Sequence, residues 1–337
     1  MKIGKSIILV TAFLGYSVSV LAQQLDYSQY YVNLPTTNPG FTGIDDFLDL
    51  KAGVREGWND FDDDNTSAYI SAFGTLNKPL KHMIRSNSLR ISDPGMFNKI
   101  ASNRKLRRKH GLGGVVSTRK LGPYQSTQLA LNYAYHLPIS KKLNWSFGTQ
   151  VGYLFQKVDF SGYTLRNEVD DQFYQALLSS NEGQQGKLGI DFGTVIYTSK
   201  LYLGFSSSNL IVKNVSSDNI LQEQSNSRFR MQMGYNFDIS PNIEMNLAGA
   251  GVYYEGIDPT VMLNSRVRFK KIVYIGAGYE HDKRVSLLFG LTSEGKFSLN
   301  YSYDKFISQL TDFNVNSHEV VIGVTVFNKY NLTQKFW

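Results

Sequence analysis

The stretch RFRMQMGYNFDIS, residues 228–240, alternates between apolar and polar side chains along almost its whole length. Successive side chains of a β-strand point to opposite faces, so the alternation predicts a strand with one apolar and one polar face. In a soluble β-sandwich the apolar face would lie in the protein core. In a membrane barrel it would contact lipid, and the polar face would line the lumen. The stretch is compatible with both, so the choice depends on the rest of the chain.

The same alternation recurs from residue 47 onward, interrupted by turn signals such as Ser240-Pro241-Asn242 and Ser293-Glu294-Gly295. We expect about fourteen strands, at residues 47–57, 66–76, 111–119, 126–137, 143–158, 187–198, 200–213, 228–239, 243–256, 260–270, 272–280, 284–293, 296–307 and 318–327. Many of these segments are about 10–14 residues long, whereas soluble strands average about 5–6 and a tilted membrane strand needs about 9–11. The chain also has 21 Tyr and 21 Phe, many near strand ends. Length and composition therefore predict an all-β fold, a transmembrane antiparallel β-barrel.

The first residues have the features of a secretory signal peptide. Lys2 and Lys5 precede an apolar stretch, and a small-residue site predicts cleavage between Ala22 and Gln23. A membrane-anchoring helix is the alternative, although the stretch is short for one. We expect four regions: a signal peptide at 1–22, an N-terminal periplasmic segment at 23–46, an outer-membrane barrel at 47–327 and a C-terminal tail at 328–337.

The chain contains no cysteine, which excludes disulfides, thiolate metal sites, a cysteine nucleophile and a lipid on an N-terminal cysteine. The absence of disulfides from a large secreted chain favours a bacterial envelope. The five histidines show no metal-ligand spacing. His281-Asp282 and Asn316-Ser317-His318 could suggest a barrel hydrolase, but adjacent strand residues point to opposite faces and form no relay alone. His136 is predicted to make a hydrogen bond in the lumen. We therefore expect no enzyme activity, no cofactor and no metal.

The charge is unevenly distributed. The formal net charge is +7, yet residues 78–120 contain twelve Lys and Arg and one acid, Asp93. If the barrel has an even number of strands and both ends of the chain lie in the periplasm, residues 77–110 form a long basic periplasmic insertion. We expect it to bind anionic headgroups, peptidoglycan or an acidic periplasmic partner. The basic residues with this predicted role are Arg104, Lys105, Arg107, Arg108 and Lys109.

Two alternatives concern charged segments. The basic insertion could be a solvated loop with no partner, whereas nucleic acid is excluded because a secreted chain rarely meets it and no aromatic residues are interleaved. The acidic run at 60–65 lacks the glycine and glutamate of a calcium-binding EF-hand loop, so we interpret it as a solvated loop that could face cargo, with divalent-cation binding as the alternative.

An ordered set of short motifs runs through the chain after the signal peptide. The motif residues are Ser28, Gln29, Tyr30, Asn38, Pro39, Gly43, Arg55, Trp58, Gly122, Pro123, His318 and Glu319. In this order they resemble the motifs of the PorP/SprF family, outer-membrane proteins of the type IX secretion and gliding systems. Gly40 and Thr42 stand where the family usually has alanines, and the insertion at 77–110 replaces a usually short turn.

The resemblance implies a barrel that works with the type IX translocon and has no enzyme activity. It also implies that the partner is a secreted cargo protein with a type B C-terminal signal. We therefore predict an integral outer-membrane protein that binds or anchors such cargo at the cell surface and contacts outer-membrane lipid and periplasmic machinery. A porin-like diffusion channel is the main alternative, and a secreted soluble β-sandwich lectin or hydrolase is the third.

Overall fold

The computed structural model describes residues 27–57, 65–76, 108–160, 175, 183–215, 227–255, 257–293, 295–307, 316–328 and 332–337 of the 337-residue chain. Within these ranges, fourteen strands form one closed barrel in which each strand pairs with its sequence neighbours and β1 pairs with β14. All the pairs are antiparallel. The strands are β1 Leu48–Gly57, β2 Asn65–Thr75, β3 Lys109–Leu121, β4 Tyr124–Pro138, β5 Asn144–Val158, β6 Gln184–Tyr197, β7 Leu201–Asn214, β8 Arg228–Ser240, β9 Ile243–Tyr254, β10 Ile257–Phe269, β11 Val273–Glu280, β12 Arg284–Ser293, β13 Phe297–Phe306 and β14 Asn316–Val326.

The predicted barrel and its strand count are confirmed, and most boundaries agree within two or three residues. The most important difference from the predicted boundaries is at β3. This strand begins at Lys109, because Lys109 and His110 pair with His136 and Tyr135 of β4. The last two residues of the predicted insertion, Lys109 and His110, therefore belong to β3 and not to the connection between β2 and β3. The rest of that insertion, residues 77–107, lies outside the described residues.

Strand β8 shows which way the alternating faces point. Met231 and Met233 are 60% and 57% exposed, whereas Arg230 and Gln232 are 2% and 1% exposed. The apolar row therefore faces away from the barrel, and the polar row faces the lumen. In a soluble sandwich the apolar rows would be buried against one another, so this arrangement rules out that alternative.

The two ends of the barrel differ. We call the end where β1 begins and β14 ends the terminal end, and the opposite end the loop end. On the outer surface, Trp145 lies near the terminal end of β5 and Phe155 near its loop end. The ten residue steps from Trp145 to Phe155 span about 33 Å along the strand, or about 25 Å along the barrel axis when the strands are tilted by about 40°. That height matches the apolar band of an outer-membrane barrel.

Residues 27–47 lie inside the barrel, and we call them the N-terminal plug. They run from near the loop end to the terminal end and contain two 3₁₀ helices, Tyr30–Thr36 and Pro39–Phe41. The plug residues Tyr31 and Phe41 are 2% and 0% exposed. The expected periplasmic placement of residues 23–46 is therefore corrected from residue 27 on, because these aromatic side chains are buried against the inner wall.

Residues 332–337, which we call the C-terminal segment, also contact the lumen. Phe336 and Trp337 are buried, and the Phe336 ring lies 4.7 Å from that of Tyr202 on β7. The expected tail at 328–337 is corrected accordingly, since its last residues return into the terminal end of the barrel. In the described part of the chain, no helix combines the length and the apolar character needed to cross a membrane.

Candidate functional site in the lumen and at the loop end

The Asn-Pro-Gly turn fixes the plug against β6 and β7. The Asn38 side chain accepts a hydrogen bond from the Gly40 amide at 2.9 Å and donates to the carbonyls of Thr194 and Phe205 at 3.3 and 3.1 Å. A Cβ atom at Gly193 would collide with the Asn38 side chain. The glycine in the wall therefore allows the turn to approach the backbone, and the asparagine caps the short helix that follows it.

The plug also requires glycine where it meets β3. Gly43 has φ of +73°, a conformation that favours glycine, and its Cα lies against Gly111. A side chain at Gly111 would collide with the backbone of Thr42. The motif residue Gly43 is therefore needed for the backbone conformation and the close packing of the plug, and it has no chemical role in the site.

His136 holds the same part of the plug. Its Nε2 lies 2.8 Å from the Thr42 carbonyl oxygen, which can only accept, so Nε2 carries the hydrogen. Its Nδ1 then accepts from the Tyr197 hydroxyl at 2.9 Å. The predicted hydrogen bond of His136 in the lumen is confirmed, and its partners are one plug carbonyl and one wall tyrosine.

A charged cluster at the loop end binds the start of the plug. Arg55 on β1 forms ion pairs with Asp304 at 2.8 Å and Glu319 at 3.4 Å, and its guanidinium donates to the Ser28 hydroxyl at 2.9 Å. The Ser28 amide donates to Glu319 at 2.9 Å, and the Ser28 hydroxyl donates to Asp304. The motif residues Ser28, Arg55 and Glu319 therefore converge, although almost 300 residues separate the first from the last.

The cluster continues along the wall through residues that the motifs do not include. Arg284 lies 2.8 Å from Glu280 and 3.6 Å from Asp304. Glu280, Arg284 and Asp304 all lie on the inward rows of β11, β12 and β13. Sequence reasoning missed them, but charged residues on the polar rows of the three strands before β14 were the available signal.

The C-terminal segment meets the plug at two arginines of β10. The Arg266 guanidinium lies 3.4 Å from the centroid of the Tyr31 ring and 5.4 Å from that of Trp337, while Arg268 lies 4.0 Å from Trp337. Arg268 also pairs with Glu244. These cation–π contacts join both inserted segments to the same wall.

A second charged group lies at the terminal end. Lys109 forms an ion pair with Asp46 at 2.7 Å and donates to the Ile44 carbonyl at 3.0 Å. This side chain therefore holds the plug, and its predicted role in binding a periplasmic partner stays a prediction. The Lys335 amide donates to Asp45 at 3.1 Å. Burial raises the pKa of Asp45 and lowers the pKa of Lys335, and the attraction between their charges opposes both shifts.

The described lumen is filled by protein. Every strand contributes at least one inward side chain that is less than a tenth exposed: Lys51, Ser71, Val115, Asn132, Gln150, Val195, Tyr202, Gln232, Asn246, Arg266, Tyr274, Leu288, Asn300 and Val321. In a water-filled pore these side chains would be wet. The plug and the C-terminal segment cover them instead.

The remaining predicted residues lie elsewhere. Gln29 and Tyr30 are buried in the plug, and Gln29 donates to the Glu319 carbonyl at 3.2 Å. Pro39 follows Asn38 in the second 3₁₀ helix. Gly122, with φ of +54°, and Pro123 form the tight turn between β3 and β4 and do not join the cluster.

His318 lies on the outer surface and hydrogen-bonds Tyr301 at 2.8 Å, so it faces away from its neighbour Glu319. Arg108 is exposed and directly precedes β3. The residues Ala22, Gln23, Trp58, Arg104, Lys105 and Arg107 lie outside the described residues, and their roles stay predictions. Across the described ranges, no group of His, Asp and Glu side chains is arranged to hold a metal ion.

A closed barrel with an apolar outer band and a filled polar lumen defines a class: integral outer-membrane β-barrel proteins whose interior is occupied by their own chain. Residues 19–324 match the family of the type IX secretion system membrane protein PorP/SprF. The chain belongs to this family, and it is an integral protein of the bacterial outer membrane. The resemblance carried by the sequence motifs is confirmed.

Comparison with solved structures returns other barrels. The monoaromatic hydrocarbon channel CymD is 11% identical, with a TM-score of 0.47 over 91% of this chain and 94% of that one. The Pseudomonas putida toluene transporter TodX is 8% identical, with a TM-score of 0.47 over 91% and 99%. Omp33 of Acinetobacter baumannii is 8% identical, with a TM-score of 0.41 over 84% and 100%. No curated protein matches the sequence significantly.

Proposed function

We propose that the protein is a non-enzymatic barrel that binds or anchors a secreted cargo protein at the cell surface for the type IX secretion and gliding system. The observation that carries this proposal is the filled lumen. Since the plug and the C-terminal segment occupy the interior, the barrel can act on other proteins only through its two ends and its lipid-facing surface. Membership of a secretion-system family makes a secreted protein the natural ligand.

The loop end is the better candidate for cargo. Five of the six connections at the terminal end are short, at 139–143, 198–200, 241–242, 270–272 and 294–296, and residues 76–108 are the exception. The loop end has longer connections at 58–64, 159–183, 215–227 and 307–315, beside three tight turns at 122–123, 255–256 and 281–283. Barrels with an even number of strands have short periplasmic turns and longer extracellular loops. This asymmetry supports a loop end that faces the outside of the cell.

The test is a binding measurement with purified components. The probe is the C-terminal domain of a secreted protein that has a type B signal, and the barrel is held in detergent or nanodiscs. We expect saturable binding that is lost when the loops at 161–182 and 216–226 are replaced by short turns. Equal binding by the barrel with replaced loops would place the cargo elsewhere, and no binding by the intact barrel would reject the anchor.

The connection between β2 and β3 is the second proposed contact. It opens at the terminal end, which this orientation places in the periplasm, and its basic residues Arg104, Lys105, Arg107 and Arg108 would attract an acidic component of the machinery. Deleting residues 80–108 should leave the barrel inserted, because Lys109 and the β2–β3 pairing remain. It should release the periplasmic partner, and a pull-down unchanged by the deletion would reject this role.

A further inference from the structure

The loop-end part of β7 has a strand neighbour on one side only. β7 pairs with β6 as far as Asn214, but β8 begins at Arg228, opposite Ser208. The β6–β7 register shifts across residues 208–210, and beyond this bulge Ile211–Asn214 pair with β6. Among the described residues, 211–214 therefore have no strand on the β8 side. The barrel wall is also taller on this side, because β4–β7 are 14 or 15 residues long whereas β11–β13 are 8–10 residues long.

The direction of the backbone groups on this edge follows from one hydrogen bond. The Val215 amide donates to the Gly186 carbonyl of β6 at 2.8 Å. Backbone groups alternate in direction along an antiparallel strand, so Lys213 and Ile211 also point toward β6. The N–H and C=O groups of Val212 and Asn214 consequently point away from β6, to the side that β8 does not reach.

The side chains along this edge are apolar and accessible. Leu210, in the bulge, and Ile211, the first residue paired with β6 beyond it, are 49% and 63% exposed. Lys213 and Asn214 are adjacent in the paired part, point to opposite faces and are both exposed, so both faces of the edge are accessible. Proteins usually protect such an edge with charge, proline or a covering segment, because it offers a template for another strand. Here Lys213 is the one charged residue between 209 and 214.

The edge lies at the aqueous side of the membrane boundary. The rings of Phe205, Phe229 and Tyr253 stack in a row across β7, β8 and β9, with centroids 6.3 and 6.5 Å apart. Phe229 pairs with Ser207, so the row ends where the edge begins. Aromatic girdles of this kind mark the interface of an outer-membrane barrel, and residues 210–214 extend beyond it toward the loops.

We propose that residues 210–214 of β7 bind an extended β-strand of the secreted cargo protein by strand addition. The inference rests on the proposed anchoring function and names the surface that performs it. Main-chain hydrogen bonds to Val212 and Asn214 supply the attachment, and apolar side chains of the incoming strand contact Leu210 and Ile211. The positive charge of Lys213, which is exposed on this edge, favours a strand whose charged residues are acidic.

Proline at Val212 tests the backbone contact directly. Val212→Pro removes the N–H that points to the open side and leaves the hydrogen bonds to β6 intact, a position where edge strands accept proline. Val212→Ala keeps the N–H and is the matched control. We expect the affinity for the purified type B C-terminal domain to fall about tenfold or more in Val212→Pro, because a carbonyl of the incoming strand loses its donor and meets the ring. Val212→Ala should stay within about threefold of wild type.

Hydrogen exchange of the wild-type protein provides a second readout that needs no variant. Adding the domain should protect the amides of Val212 and Asn214, while those of Ile211 and Lys213 are already protected by β6. If the domain binds the wild type, Val212→Pro and Val212→Ala with equal affinity, the edge is not the binding site, although the anchoring function stands. If Val212 and Asn214 are protected before the domain is added, a segment of this chain covers the edge and the proposal is overturned. If the domain binds none of them, the anchoring function fails first.

Discussion

Removing the Arg55 guanidinium should release the N-terminal plug. Arg55 is the cation between two carboxylates, Asp304 and Glu319, whose side chains are 0% and 1% exposed. Arg55→Ala leaves both acids buried beneath the plug with less compensating charge. Water can relieve that cost only if the start of the plug, at Ser28, moves out of the lumen. The substitution therefore shifts the equilibrium toward a displaced plug.

The magnitude follows from the contacts. Breaking a buried ion pair by removing one partner costs about 3–5 kcal/mol. Arg284 stays 3.6 Å from Asp304 and compensates in part, so the lower figure applies. Because about 1.4 kcal/mol corresponds to a factor of ten, about 3 kcal/mol raises the displaced population roughly a hundredfold.

Labelling of a single introduced cysteine can measure this population, because the chain has no cysteine of its own. Val32 is 6% exposed inside the plug, so Val32→Cys should react slowly with a maleimide in the folded protein. Adding Arg55→Ala should raise the labelling rate about a hundredfold if exchange is faster than labelling. Lys305→Ala, which removes an exposed cation next to Asp304, is the matched control and should change nothing.

A neutralised cluster provides the complementary test. Arg55→Met combined with Asp304→Asn and Glu319→Gln removes the charges together, so slow labelling of Val32→Cys should return. Suppose instead that Arg55→Ala labels within twofold of the Lys305→Ala control while the barrel stays folded. The cluster would then not hold the plug, and the reasoning from buried charge would be refuted.

Three further predictions concern the filled lumen. Gly111→Ala should reduce the folded fraction seen by heat-modified gel mobility, because its Cβ collides with the Thr42 backbone; Gly251→Ala, which meets nothing within 4 Å, should fold normally. Trp337→Ala removes the ring beside Arg268 and should speed proteolysis of the C-terminal segment, consistent with a loss of about 2–3 kcal/mol; unchanged proteolysis would contradict that contact. In planar bilayers the wild-type protein should show no large steady current, whereas such a current would favour the diffusion channel.

The strands and their faces could be predicted because each carries its own signal. On β8 the alternation of Met231 and Met233 with Arg230 and Gln232 defines two faces. Strand length then distinguished a membrane barrel from a sandwich, because a tilted strand must cross the whole apolar band. The local alternation of side chains and the thickness of the apolar band of the membrane were therefore enough to predict the barrel architecture.

The plug could not be predicted in the same way. Residues 27–47 have neither a period of 2 nor a helical period, and their partners lie on distant strands. The signal that was available is composition, since Tyr30, Tyr31, Leu34 and Phe41 are too apolar for a solvated periplasmic segment. The motif residues Ser28, Arg55 and Glu319 were found, but only the fold shows that they form one cluster.

The sizes of inward side chains place the plug within the lumen. Gly148, Gly193 and Gly204 on β5, β6 and β7 leave room where the Asn-Pro-Gly turn packs. Arg230 and Arg266, on β8 and β10, are large and buried. A barrel of uniform inward residues would offer the plug no single position, whereas this distribution admits it on one side. The inward side chains therefore fix the position of the plug, and under the proposed anchoring function the cargo would bind at the loop end, where residues 211–214 of β7 have no strand neighbour on the β8 side among the described residues.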